Sequence, residues 1–68
     1  MKDKPITAKQ CEMLEKMLYP SDSNPFRISK EYRGIMEDVL IRGTYSDYEQ
    51  PILNWFRDCY INKNYLIR

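Results

Sequence analysis

Three stretches of this chain carry apolar residues at helical spacing, and the polar residues between them fall where helices begin and end. Cys11, Met13, Leu14, Met17 and Leu18 form the first set, and Tyr32, Ile35, Met36, Val39 and Leu40 the second. Ile52, Leu53, Phe56, Cys59 and Tyr60 form the third, with Trp55 at its border. Recurrence at three- and four-residue intervals places each set on one face of a helix and turns that face toward a shared core.

The boundaries follow from local backbone chemistry. Thr7-Ala-Lys-Gln10 fits a capping box, in which the threonine hydroxyl and the glutamine side chain each satisfy a backbone N–H that the first turn leaves unpaired. Pro20 is expected to stop the first helix, since it lacks a donor and pushes the preceding residue out of the helical region. Ser21-Asp-Ser-Asn-Pro25 is turn-forming. The second helix starts either at Asn24 with Pro25 in its first position or, the preferred reading, at Ser29 after an extended Phe26-Arg-Ile28. Gly34 interrupts its interior at a cost of about 1 kcal/mol relative to alanine, which suggests the close approach of another backbone. Gly43 ends it in the left-handed conformation that glycine adopts without strain.

Ser46-Asp-Tyr-Glu49 is a second capping box, and its carboxylates suit the positive end of a helix dipole. Pro51 sits badly with it, so the third helix needs either a loose first turn or a restart with the proline at its beginning. Asn62-Lys-Asn64 interrupts the third stripe, and Tyr65-Leu-Ile-Arg68 reads equally as a frayed last turn or as an extended tail laid across the bundle. The two capping boxes do not mark an internal repeat, because the stripes behind them align only with a shift. The expected fold is all-α: a small three-helix bundle with helices near 7–19, 29–42 and 46–61, the last two forming a C-terminal helical hairpin. Residues 1–5 are expected to be a flexible arm, 6–61 the domain and 62–68 a tail.

Composition narrows the chemistry. A chain of 68 residues is one domain, and at that size about 60% of the unfolded surface is buried, so the core must be compact. Eleven basic against ten acidic side chains leave the net charge near zero, which favours neither polyanions nor polycations as partners and keeps a homodimer open. Histidine is absent, so the usual base for nucleophilic catalysis is missing; no catalytic residues are assigned and the chain is read as a non-enzyme. Cys11 and Cys59 are too few for a disulfide framework or a four-ligand zinc site and read as small buried hydrophobes; no metal or cofactor is expected. No apolar run is long enough to span a membrane and no secretory signal is present, so the expected compartment is the cytoplasm. The abundance of Ile, Lys, Asn and Tyr fits an AT-rich genome and a bacterial or bacteriophage accessory protein.

The aromatic excess carries the functional expectation. Six tyrosines, two phenylalanines and one tryptophan are more than a core of this size absorbs. Tyr45, Tyr48 and Trp55 with Arg57 are expected to form an aromatic helix face of the composition that dominates protein-binding hot spots. That points to a noncatalytic regulator or inhibitor docking on a larger protein. The second reading is nucleic-acid binding through Arg27, Lys30, Arg33, Lys63 and Arg68, where basic groups near Tyr65 would hold phosphate and stack a base. Against it, Arg33 with Glu37, Asp38 with Arg42 and Glu12 with Lys16 are spaced to pair along their own helices. A helix-turn-helix is disfavoured because Asp47, Glu49 and Asp58 on the third helix would repel phosphates. A self-associating structural module is the third reading.

Overall fold

The computed structural model describes residues 3–19 and 21–68. In chain order the elements are β1 (Lys4–Pro5), α1 (Ala8–Leu18), β2 (Arg27–Ile28), α2 (Lys30–Arg42), β3 (Thr44–Tyr45), α3 (Gln50–Ile61) and β4 (Leu66–Ile67). The three helices lie where the apolar periodicity puts them, and their ends show why. Thr7 Oγ1 accepts from the Gln10 N–H at 3.1 Å while Gln10 Oε1 accepts from the Thr7 N–H at 2.8 Å, so the capping box that opens α1 is complete. The stop expected of Pro20 lies outside the described residues. Helix α2 ends at Gly43, which takes φ 75° and donates its N–H to the Val39 carbonyl.

Two local expectations change. Ser29 precedes α2 as its capping residue, but its hydroxyl makes no cap bond and is buried without a partner. Gly34 meets no other backbone: a methyl group at that position would have nothing within 4 Å, and the residue is exposed. The glycine therefore costs helix propensity with no packing return. Gly34→Ala is expected to stabilise the protein by about 1 kcal/mol, raising the melting temperature by roughly 4–8 °C. A melting temperature that stays level or falls would mean that the glycine serves a contact formed elsewhere.

At the third helix, the Glu49 carboxylate accepts from the Ser46 N–H at 2.8 Å and Ser46 Oγ accepts from the Glu49 N–H at 3.3 Å. This box closes a turn ahead of the helix. Regular α3 begins at Gln50 with Pro51 in its first two positions, the restart that a residue with no N–H to offer the Asp47 carbonyl requires.

The all-α expectation is overturned. The fold is mixed, with the helices tied by two small sheets: β1 pairs antiparallel with β3, Lys4 opposite Tyr45, and β2 pairs parallel with β4, Arg27 opposite Leu66. The Ile6 N–H extends the first pairing to the Gly43 carbonyl at 3.0 Å. In the second, Arg27 and Ser29 donate to the carbonyls of Tyr65 and Ile67, each at 2.7 Å. The physical cause is the demand of backbone polar groups: extended segments leaving each helix carry donors and acceptors that must be satisfied, and here they satisfy one another. The helical hairpin changes with it, because the link from α2 to α3 runs through β3 and not through a tight turn. Helix-to-helix packing runs chiefly through α1, which lies against both α2 and α3.

Of the two alternatives for the C-terminal segment, the extended one holds. Ile67 enters the core beside Leu14, Met17, Leu18, Met36, Val39, Leu53 and Phe56. Asp3 to Pro5, within the segment read as an arm, lie against the end of α2: Pro5 pairs opposite Thr44, and Asp3 reaches Arg42 at 3.1 Å. No helix among the described residues is long and apolar enough to cross a membrane.

Candidate functional site

The residues of the expected aromatic face are positioned by different parts of the fold. Tyr45 sits in β3, half-buried and packed against the core. Trp55 is half-buried as well, its ring edge-on to Tyr32 at 5.0 Å and to Phe56 at 5.9 Å, so it closes the rim of the core between α2 and α3. Tyr48, in the turn before α3, is 74% exposed. Arg57 is exposed on α3, but helix positions two apart do not face the same way, and it diverges from Trp55 toward α1.

There Arg57 meets residues that the sequence does not group with it. A groove of about 230 Å³ between α1 and α3 is lined by Lys9, Gln10, Met13, Arg57, Tyr60 and Ile61. Met13, Tyr60 and Ile61 give it an apolar floor, and Lys9 and Arg57 stand as cations on opposite helices. Ile61 is 60% exposed. Its signal in the sequence is that the apolar stripe of α3 runs one position past Tyr60. Tyr60 also lines an adjoining cavity of about 400 Å³ with Glu15, Lys16, Tyr19 and Phe26, so the depression continues along α1. Lys16 pairs with Glu12 at 3.0 Å, and Glu12, then Tyr60, raise its ammonium above the usual lysine range.

Of the five basic residues, the structure brings three together. Arg27, Arg33 and Arg68 line one cavity of about 310 Å³, while Lys30 and Lys63 are exposed and line none of the cavities described here. Arg33 does not pair with Glu37 among the described residues; its Nη1 donates to the Leu18 carbonyl at the end of α1. The other two expected helical pairs form, Glu12 with Lys16 and Asp38 with Arg42.

Arg42 is committed to structure. It binds Glu49 through both carboxylate oxygens at 2.6 and 2.7 Å and also reaches Asp3 and Asp38, which ties the N-terminal segment, the end of α2 and the approach to α3 into one network. Burial alone would raise the Glu49 carboxyl, but the Arg42 guanidinium and the Ser46 donors outweigh it and hold it below the usual carboxylate range. Cys59 is buried, and that burial, with Asp58 beside it, pushes its thiol up, so it stays protonated and unreactive at neutral pH. Among the described residues no three His, Cys, Asp or Glu side chains gather to hold a metal ion.

Comparison with known proteins finds no matching family, no matching curated protein and no matching solved structure.

Proposed function

We propose that this chain is a noncatalytic binding protein, a regulator or inhibitor, that docks on a larger protein through the groove between α1 and α3. The observation that supports this reading is the pairing of an open apolar floor with two cations that have no carboxylate of their own. Ile61 is 60% exposed, and burying what remains of a side chain of that size contributes on the order of 1 kcal/mol. Lys9 and Arg57 form no ion pair among the described residues. The occupant that fits is an amphipathic helix with an apolar stripe at its centre and carboxylates where it meets Lys9 and Arg57, laid into the groove as a helix lies in a helix-lined cleft. From Lys9 to Tyr19 the depression follows α1 for roughly 15 Å at 1.5 Å per residue, enough for about three turns of such a helix.

The test is affinity capture from the host lysate with nuclease present, using wild-type protein, Ile61→Asp and Arg57→Glu, each checked for native circular dichroism. One protein retained in stoichiometric amount by wild type, lost from both variants and displaced by its own acidic amphipathic segment as a synthetic peptide, is the expected result. Retention that survives both substitutions would remove the groove from the reading, and a partner with no such segment would remove the occupant.

A further inference from the structure

We propose a second site: a cleft at the junction of β2, β4 and the start of α2 that holds a phosphodiester of single-stranded nucleic acid. It is built by the parallel pairing of the second sheet. Arg27 lies opposite Leu66 and Ile28 opposite Ile67, which brings Arg68 alongside the first turn of α2. Arg27 and Arg33 line two cavities at once. One, of about 310 Å³, is completed by Ile28, Ser29, Leu66, Ile67 and Arg68, and the other, of about 520 Å³, by Ser21, Asp22, Asn24 and Phe26. The two guanidinium groups therefore stand on the divide between a pair of open depressions.

The arginines are held in place yet not used up. Arg27 Nη1 donates to the carbonyls of Asn24 at 3.3 Å and Phe26 at 3.2 Å, and Arg33 Nη1 to the carbonyl of Leu18. Each guanidinium carries five donors in a rigid plane, so anchoring one nitrogen orients the rest and leaves them available. Among the described residues no carboxylate pairs with Arg27, Arg33 or Arg68. Oriented guanidinium groups without a protein anion are matched to a tetrahedral oxyanion, which takes two parallel N–H bonds from each.

The shape selects a diester. A phosphate monoester has one substituent and fills one depression; a diester bound on the divide sends a substituent into each. The two depressions differ in what they offer: Ile28 and Leu66, the latter 56% exposed, give apolar surface to a sugar or base face on one side, while on the other Phe26 is buried and Ser21 and Asn24 give a polar wall suited to a sugar. Side chains reach a base face only when the base is unstacked, which specifies a single strand. Asp22, at the second depression, repels a further phosphate there, so the strand continues over Arg68.

The probe is a single-stranded oligothymidylate of about eight nucleotides, a length within the usual footprint of such sites, titrated into the full chain and followed by backbone amide shifts. The duplex of the same sequence and a phosphoserine peptide are the comparison arms. Saturable shifts confined to residues 21–33 and 66–68 are expected, with affinity falling against salt at a log–log slope of about −1.4, as for two neutralised phosphates on a single strand. Arg27→Gln combined with Arg68→Gln should weaken binding at least tenfold, and Arg68→Gln alone several-fold with an unchanged melting temperature. Arg33 is left intact in these variants because it also holds the Leu18 carbonyl. The proposal fails if shifts do not saturate, if they spread to Lys9, Arg57 and Lys63, if the double variant binds like wild type, or if the phosphoserine peptide or the duplex binds more tightly than the single strand.

Discussion

Ile67→Ala is expected to destabilise the protein by about 3 kcal/mol, within the 2–5 kcal/mol typical of removing a buried isoleucine side chain down to its methyl. Ile67 is fully buried among core residues contributed by all three helices, although it stands second from the end of the chain. At roughly 0.05–0.15 kcal/mol per residue, a domain of this length holds only about 3–10 kcal/mol in total. One side chain in a two-residue strand thus carries a large share of the margin. Leu66→Ala is the internal control. Successive residues of a strand point to opposite faces, and Leu66 is 56% exposed, so its truncation is expected to cost under about 1 kcal/mol. Urea denaturation of the two variants measures the difference directly. Equal midpoints would show that the C-terminal segment does not dock on the core in solution.

This side chain also marks the line between what could be read from the sequence and what could not. Helices announce themselves because a period of 3.6 residues repeats several times within elements as long as α1, α2 and α3, and because their caps are local: Thr7 and Gln10 find each other three residues apart whatever the rest of the chain does. A two-residue strand contains no period. Arg27 and Leu66 become neighbours only after three helices have set the path between them, so neither the pairing nor the burial of Ile67 has a local signature. The same distinction governs the surfaces. Trp55 and Arg57 look adjacent in a list of exposed residue types, but their two-residue separation on a helix sends one to the rim of the core and the other into the α1–α3 groove. Conversely, Arg27, Arg33 and Arg68 form a group that spans both halves of the chain, and only the parallel strand pair brings the last of them to the first two.

Asn24→Ala is expected to cost about 2 kcal/mol, lowering the melting temperature by roughly 10 °C. By sequence Asn24 is a turn former or an alternative helix cap. In the structure it closes the end of α1 and opens β2 together. Its Nδ2 donates to the carbonyls of Met17 at 3.0 Å and Tyr19 at 2.9 Å, while its Oδ1 accepts from the Phe26 N–H at 2.9 Å. The last carbonyls of a helix have no partner within it, and alanine would return two of them and a loop N–H to whatever water reaches a partly buried site. Asn24→Asp separates this account from a simple turn preference, since aspartate is an equally good turn residue and keeps the acceptor for Phe26. It has no donor, and it sets a negative charge against two carbonyl oxygens. The aspartate variant is therefore expected to be at least as unstable as the alanine variant. Wild-type stability in Asn24→Asp would mean that the side chain matters for the turn alone. Arg33 holds the intervening Leu18 carbonyl, so the two residues share one helix end: the first loss frays that end and leaves less for the second to remove, and removing both should cost less than the sum of the separate losses, a difference that a double-mutant cycle resolves.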